Sequence, residues 1–217
     1  MKTVKVWDFW IRAFHWLLLA GFTGAWLTIE YGWMQAHAVI GYCLSVLLIF
    51  RVLWGFWGST TAHFTAFLCS PITALKYLKN SLQLKAPAHA GHNPAGGWMV
   101  VCMLALLFWQ IISGLLANND LGFSGPFADF INKTLSDQLT QWHGWNFYII
   151  LSAVWLHLVA VFFYQLVKRE KLVQAMFSGK KPNIQAPNWQ SLNFKSNIRA
   201  ISLLVFSALI VCIIVFL

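Results

Sequence analysis

Five stretches of this 217-residue chain, at about residues 10–29, 36–56, 97–117, 142–167 and 200–217, are long and almost wholly apolar. About 20 apolar residues cross a lipid interior when the segment satisfies its own backbone N–H and C=O groups, which a helix does and an open strand does not. None of the five alternates with the period of two that a barrel strand requires. The composition agrees, with 59% hydrophobic and 10% charged residues, too little polar surface to cover a soluble globule. The expected fold class is an all-α integral membrane protein. Residues 1–181 are expected to form a four-helix transmembrane bundle, and residues 182–217 a linker and a fifth transmembrane helix.

Lys2 and Lys5 before an apolar run imitate a secretory signal peptide, but Arg12 and His15 interrupt that run and it is long enough to span. If five spans are threaded in turn, fourteen of the fifteen Lys and Arg residues fall on one side; only Lys133 falls on the other, with Glu30, Asp120, Asp129 and Asp137. Retention of basic residues in cytoplasmic loops then places the N-terminus in the cytoplasm and the C-terminus outside. The net charge of +9 is accounted for by loops that flank spans and meet anionic membrane lipid, so no nucleic-acid partner is expected.

Cys43, Cys69, Cys102 and Cys212 stand singly, with no C-x-x-C and no C-x-x-C-H. Zinc-type pairs and covalent c-type haem attachment are thereby excluded, and small apolar packing residues are the expected role.

Ionisable groups inside a membrane are rare and face the bundle interior. Four histidines meet that description: His15, His37, His143 and His157. The 14 residues from His143 to His157 return to within about 40° of the same helix face and rise about 21 Å. One face of the fourth span therefore presents an imidazole near each side of the membrane. His37 lies at the level of His143, and His15 at the level of His157. Facing imidazoles without thiolates or intramembrane carboxylates fit bis-histidine b-type haem better than zinc or copper, whose shells an isolated pair leaves short. Interhelical hydrogen bonding by the same histidines is the alternative. Arg12, one turn before His15, and Arg51, 14 residues after His37, are candidates for pairing with haem propionates or are ordinary positive-inside residues. Gly21, Gly24, Gly41, Gly114 and Gly144 allow close approach of a macrocycle or of a neighbouring helix.

Val6-Trp7-Asp8 with Arg12 and His15-Trp16, His37 and Gly41, Arg51 with Trp54-Gly55 and Gly58, Gly91-His92-Asn93-Pro94 with Gly96-Gly97-Trp98, Ser113-Gly114-Leu115, His143, His157 and Gly179-Lys180-Lys181 form a pattern. It resembles the bacterial cytochrome b561 family, including the b-type subunits of nickel-iron hydrogenases, over about residues 4–181. The resemblance implies two b haems in a four-helix core of the bacterial inner membrane. It implies iron ligands His37 with His143 for the external haem and His15 with His157 for the cytoplasmic one, the pairs that spacing also selects. It further implies electron transfer between the quinone pool and a periplasmic redox partner, such as a cytochrome c or a dehydrogenase or hydrogenase subunit. The fifth span departs from the minimal members and favours a subunit of a complex.

Within that frame, His92 and Asn93 are candidates for quinone contact, and a Pro/Gly helix-entry turn is the other reading of their loop. The acidic loop Asn118 to Gln141 is the expected docking surface outside. A stand-alone superoxide:quinone oxidoreductase is the alternative function; the acidic outer side repels its anionic substrate. A histidine-based metal or proton transporter is more remote, because no Asp or Glu lies within a span.

Overall fold

The computed structural model describes residues 3–120, 122–183 and 192–216. Its elements are β1 (Thr3–Lys5), α1 (Phe9–Glu30), α2 (Met34–Trp57), α3 (Phe64–Phe67), α4 (Pro71–Leu82), α5 (Pro94–Leu115), α6 (Lys133–Phe162), α7 (Leu172–Ser178), β2 (Lys180–Pro182) and α8 (Asn197–Phe216). A π-type turn, Phe163–Val167, continues α6. Part of the expected linker, residues 184–191, lies outside the described residues.

Each apolar stretch is a helix. By length and composition α2, α5, α6 with its π turn, and α8 are able to cross a membrane, at mean hydropathies of 2.0 to 2.7. At 22 residues α1 is as long as α5, but it carries Arg12, His15 and Glu30. The expected fourth span starts earlier than the apolar run suggests, at Lys133 instead of near residue 142. Its polar first turns have local uses. The side chain of Asn132 accepts from Leu135 N at 2.9 Å, as an N-cap does. Ser136 donates to Leu116 O at 2.7 Å, and Thr140 to Asn118 O at 3.0 Å. Outward on α6, Trp145, Tyr148, Ile149, Trp155, Leu156 and Phe162 are exposed, as expected of a helix whose solvent is lipid.

The chain divides into two compact units. The first comprises Met1–His15, Arg51–Cys102 and Trp155–Leu203. Here β1 pairs antiparallel with β2, in the register Thr3↔Pro182, Val4↔Lys181, Lys5↔Lys180. Gly179 closes α7 in the left-handed region (φ +76°), and its carbonyl accepts from both Val6 N and Trp7 N. A Cβ at Gly179 would stand 2.8 Å from Trp7 O, so glycine is required there on both counts. Asp8 is 4% exposed. One carboxylate oxygen caps α1 by accepting from Ile11 N at 2.7 Å, and the other accepts from Trp54 Nε1 at 3.0 Å. A single acid thus ends one helix and anchors α2, whose Trp54 is fully buried.

The second unit comprises Trp16–Phe50, Met103–Val154 and Leu204–Leu217. A Cβ on Gly21 would stand 2.7 Å from Leu44 Cδ2, so the missing side chain lets α1 and α2 approach. Phe22 of α1 stacks on Phe147 of α6, with ring centres 5.7 Å apart. Asn146, buried on α6, donates to Leu106 O at 2.9 Å and Gln110 Oε1 at 2.7 Å on α5.

Asp8→Ala removes a helix cap and the acceptor of a buried indole, and is expected to cost about 2–4 kcal/mol. Asp8→Asn, which keeps one carbonyl oxygen, is expected to cost less. Thermal unfolding in detergent measures both.

Candidate functional site

The four histidines His15, His37, His143 and His157 meet in two pairs. His37 of α2 faces His143 of α6, with ring centres 6.1 Å apart and planes at 78°. His15 of α1 faces His157 of α6 at 6.5 Å and 50°. Two imidazoles that share one axial metal ion have ring centres about 6 Å apart, from metal–nitrogen bonds of about 2 Å and about 1 Å from each nitrogen to its ring centre. Aromatic rings in edge or tilted contact have centres about 4.5–7 Å apart, so both separations also match direct ring contact. Among the described residues no cluster of three or more His, Cys, Asp or Glu forms a metal site. Each pair by itself offers two imidazole donors.

In the second unit the ring protons are assigned by backbone. His37 Nδ1 lies 2.8 Å from Ala25 O, and His143 Nδ1 lies 2.9 Å from Gln110 O. A carbonyl only accepts, so each Nδ1 carries the proton and each Nε2 keeps its lone pair, the tautomer a metal ligand requires. Ser113 Oγ lies a further 3.1 Å from His143 Nδ1, and Gln110 Nε2 donates to His143 O at 3.1 Å. Gly114 packs beneath that ring: a Cβ there would stand 2.9 Å from His143 Cε1.

Beside this pair is a cavity of about 480 Å³, within the range of small-molecule sites. His37, His143, Phe22, Leu48, Gly41 and Gly144 are among its walls. A Cβ at Gly41 or at Gly144 would meet nothing within 4 Å. These two glycines are thus spared no clash with protein; what they leave is open space beside the imidazoles, and a flat macrocycle fits that arrangement.

The first unit also holds buried charged side chains. Arg51 is 2% exposed; its Nη1 donates to Ala62 O at 3.3 Å, while Nη2 is buried without a hydrogen-bond partner. Arg12 is held otherwise, its Nη1 donating to Phe177 O and its Nε to Asp8 O. His92 lies between Trp7 and Phe67, at ring-centre distances of 4.7 and 4.8 Å. Burial first, then the charges of Arg51 and Lys181, push His92 down to about 3, so the ring stays neutral. Asn93 Oδ1 accepts from Gly96 N at 2.7 Å and caps α5, whose first residue is Pro94; the helix-entry reading of this loop describes its side-chain oxygen.

Asp8, Ser113 and Lys181 stand in the sequence pattern with no role that the pattern assigns, Gln110 stands outside it, and the carbonyls of Ala25 and Gln110 have no side-chain signal at all. A polar residue inside an apolar run, as Gln110 and Ser113 are, is the one available cue.

A family model described as prokaryotic cytochrome b561 matches residues 6–179. No curated protein matches the chain.

Gly41→Leu and Gly144→Leu are expected to leave the fold as stable as before, since glycine is a poor helix former, and to abolish cofactor binding at the His37–His143 pair by filling the cavity. Melting curves and haem per chain by pyridine haemochrome test this. A second expectation concerns acid. The unfolded chain protonates histidine below about pH 6.5, whereas folded His92 takes its proton near 3. Between these values the unfolded state binds more protons, so stability is lost as pH falls through that window, and His92→Gln is expected to flatten the slope of Tm against pH.

Proposed function

Because the chain belongs to the prokaryotic cytochrome b561 family, we propose that it holds two b haems, one on each imidazole pair, and carries electrons across a membrane between the quinone pool and a redox protein outside. At the level of the family, it is a multi-pass membrane b-type cytochrome of electron transfer. The observation that carries the dihaem reading is the pair of ring separations, 6.1 and 6.5 Å. When bound between two imidazoles, haem iron takes up and releases one electron without exchanging ligands.

The chain's own part is to bind and orient. His37 and His143 present Nε2 from opposite walls, each turned by a carbonyl of the neighbouring helix. His15 and His157 supply the second pair, with Arg51 as the cation nearest in character to a propionate partner. The apolar walls keep water from both pairs and lower the local dielectric. Quinone is the proposed partner of the His15–His157 haem, and the neutral ring of His92 is its candidate hydrogen-bond donor. The acidic segment Asn118 to Gln141, in which Lys133 bridges Asp120 at 2.7 Å and Asp137 at 3.0 Å, is the proposed docking surface for the redox protein outside. Five spans with the N-terminus cytoplasmic complete the reading: α1 crosses with the four more apolar helices, sheltering Arg12 and His15 within the protein.

Wild-type protein purified in detergent is expected to show about two low-spin b haems per chain in a reduced-minus-oxidised spectrum. His37→Ala and His143→Ala are each expected to retain about one. An unchanged haem-to-protein ratio in both variants would overturn the pairing, and a haem-free wild type would overturn the function.

A further inference from the structure

The first unit has more buried cations than buried anions. Arg51 and Lys181 are each 2% exposed, and the Lys168 side chain is 8% exposed. The buried acids described there are Asp8 and Glu170. Asp8 accepts from Ile11 N and Trp54 Nε1 while its charge acts on Arg51, and Glu170 lies 3.4 Å from Lys168 Nζ and also acts on Lys181, so two acids stand against three cations. Burying a charge without a counter-charge costs several kcal/mol, so an excess of positive charge calls for an anion.

The uncommitted donors sit on neighbouring segments. Arg51 Nη1 holds Ala62 O, while its Nη2 is buried without a hydrogen-bond partner. Thr61, 5% exposed, has a buried hydroxyl that also lacks one. Lys181 Nζ donates to His89 O at 3.0 Å, a contact that uses one of its three protons and brings no negative charge. The two anchor points adjoin, because a Cβ on Gly91 would lie 3.5 Å from Thr61 Cβ. Arg51, Lys181, His157 and His15 all act electrostatically on His92. Lys181 is turned inward by the β1–β2 pairing, in which it lies opposite Val4 while Lys180 is exposed.

We propose that Arg51, Thr61 and Lys181 form a carboxylate-binding cradle that receives propionate side chains of the haem on the His15–His157 pair. The inference rests on the dihaem reading and deepens it: the fork of Arg51 takes a carboxylate through Nη2, the Thr61 hydroxyl donates beside it, and Lys181 supplies the second positive charge. Gly179-Lys180-Lys181 thereby gains a ligand-binding role in addition to closing α7, and the β clasp becomes part of the cofactor site. The same cations would also attract a free inorganic anion or a lipid phosphate, and the test separates these sources.

The full-length protein is depleted of haem in detergent and reconstituted with protohaem or with its dimethyl ester, in which both carboxylates are masked. Lys181→Met and Thr61→Val are made alongside, and the haem of the His37–His143 pair reports in every sample that the chain is folded. Protohaem is expected to leave the His15–His157 pair about ten- to a hundredfold more slowly than the ester, the size of one charge-assisted hydrogen bond. Lys181→Met is expected to release protohaem faster by a similar factor while changing ester release little, and Thr61→Val to do the same to a smaller degree. Resonance Raman propionate bands are expected to shift in both variants. Equal release of haem and ester by the wild type, or equal effects of Lys181→Met on both, would overturn the cradle, and protection by added phosphate or anionic lipid with no difference between haem and ester would assign the cations to those anions. Wild-type protein that takes up no haem would instead remove the dihaem reading itself.

Discussion

Lipid offers no hydrogen bonds, so every polar atom on a spanning helix must find its partner within the protein or on a ligand. The histidine surroundings follow from this. Ala25 O and Gln110 O meet the Nδ1 protons of His37 and His143, and each also accepts from a hydroxyl of its own helix, Thr28 Oγ1 and Ser113 Oγ. Asn146 and Gln110 engage each other across α5 and α6 at 2.7 Å, and Ser136 takes up Leu116 O near the end of α5. Each of these interhelical bonds also fixes a helix pair in register, so the interactions that make burial of polar groups tolerable are the ones that set the geometry of the proposed ligands.

The two units meet the same constraint by different means. In the second, the buried polar side chains are neutral and their partners are largely backbone, and the cavity is bare at Gly41 and Gly144. In the first, charged side chains are brought inside: Asp8 against Ile11 N and Trp54, Arg51 on Ala62 O, Lys168 against Glu170, Lys181 on His89 O. Tyr164 and Ser81 add a buried hydroxyl pair at 2.8 Å. A neutral, open pocket suits a flat apolar ligand, while a charged interior suits the acidic edge of one.

Much of this was legible in the sequence and some was not, for physical reasons. The apolar runs fix the helices because apolar length is itself the requirement for spanning, and the histidine pairs follow from helical periodicity. The start of α6 at Lys133 was hidden because Asn132, Ser136 and Thr140 read as loop residues, although they cap a helix and bind the preceding turn. Lys181 reads as one more basic flank; only the strand pairing turns it inward. Asn93 was weighed for its chemistry, and its side-chain oxygen serves the entry of α5.

The anchoring of His37 by Ala25 has a consequence for variation. Its acceptor is a main-chain oxygen, so no substitution at position 25 deletes it, and the ring orientation is insulated from point changes in its immediate partner. What disturbs it is displacement of α1 against α2, which Gly21 beneath Leu44 governs from a turn away. Sensitivity to mutation is thereby moved from the atoms that touch the imidazole to the small residues that let the helices approach, and drift in this protein should be tolerated beside the ligand and resisted at the helix crossing.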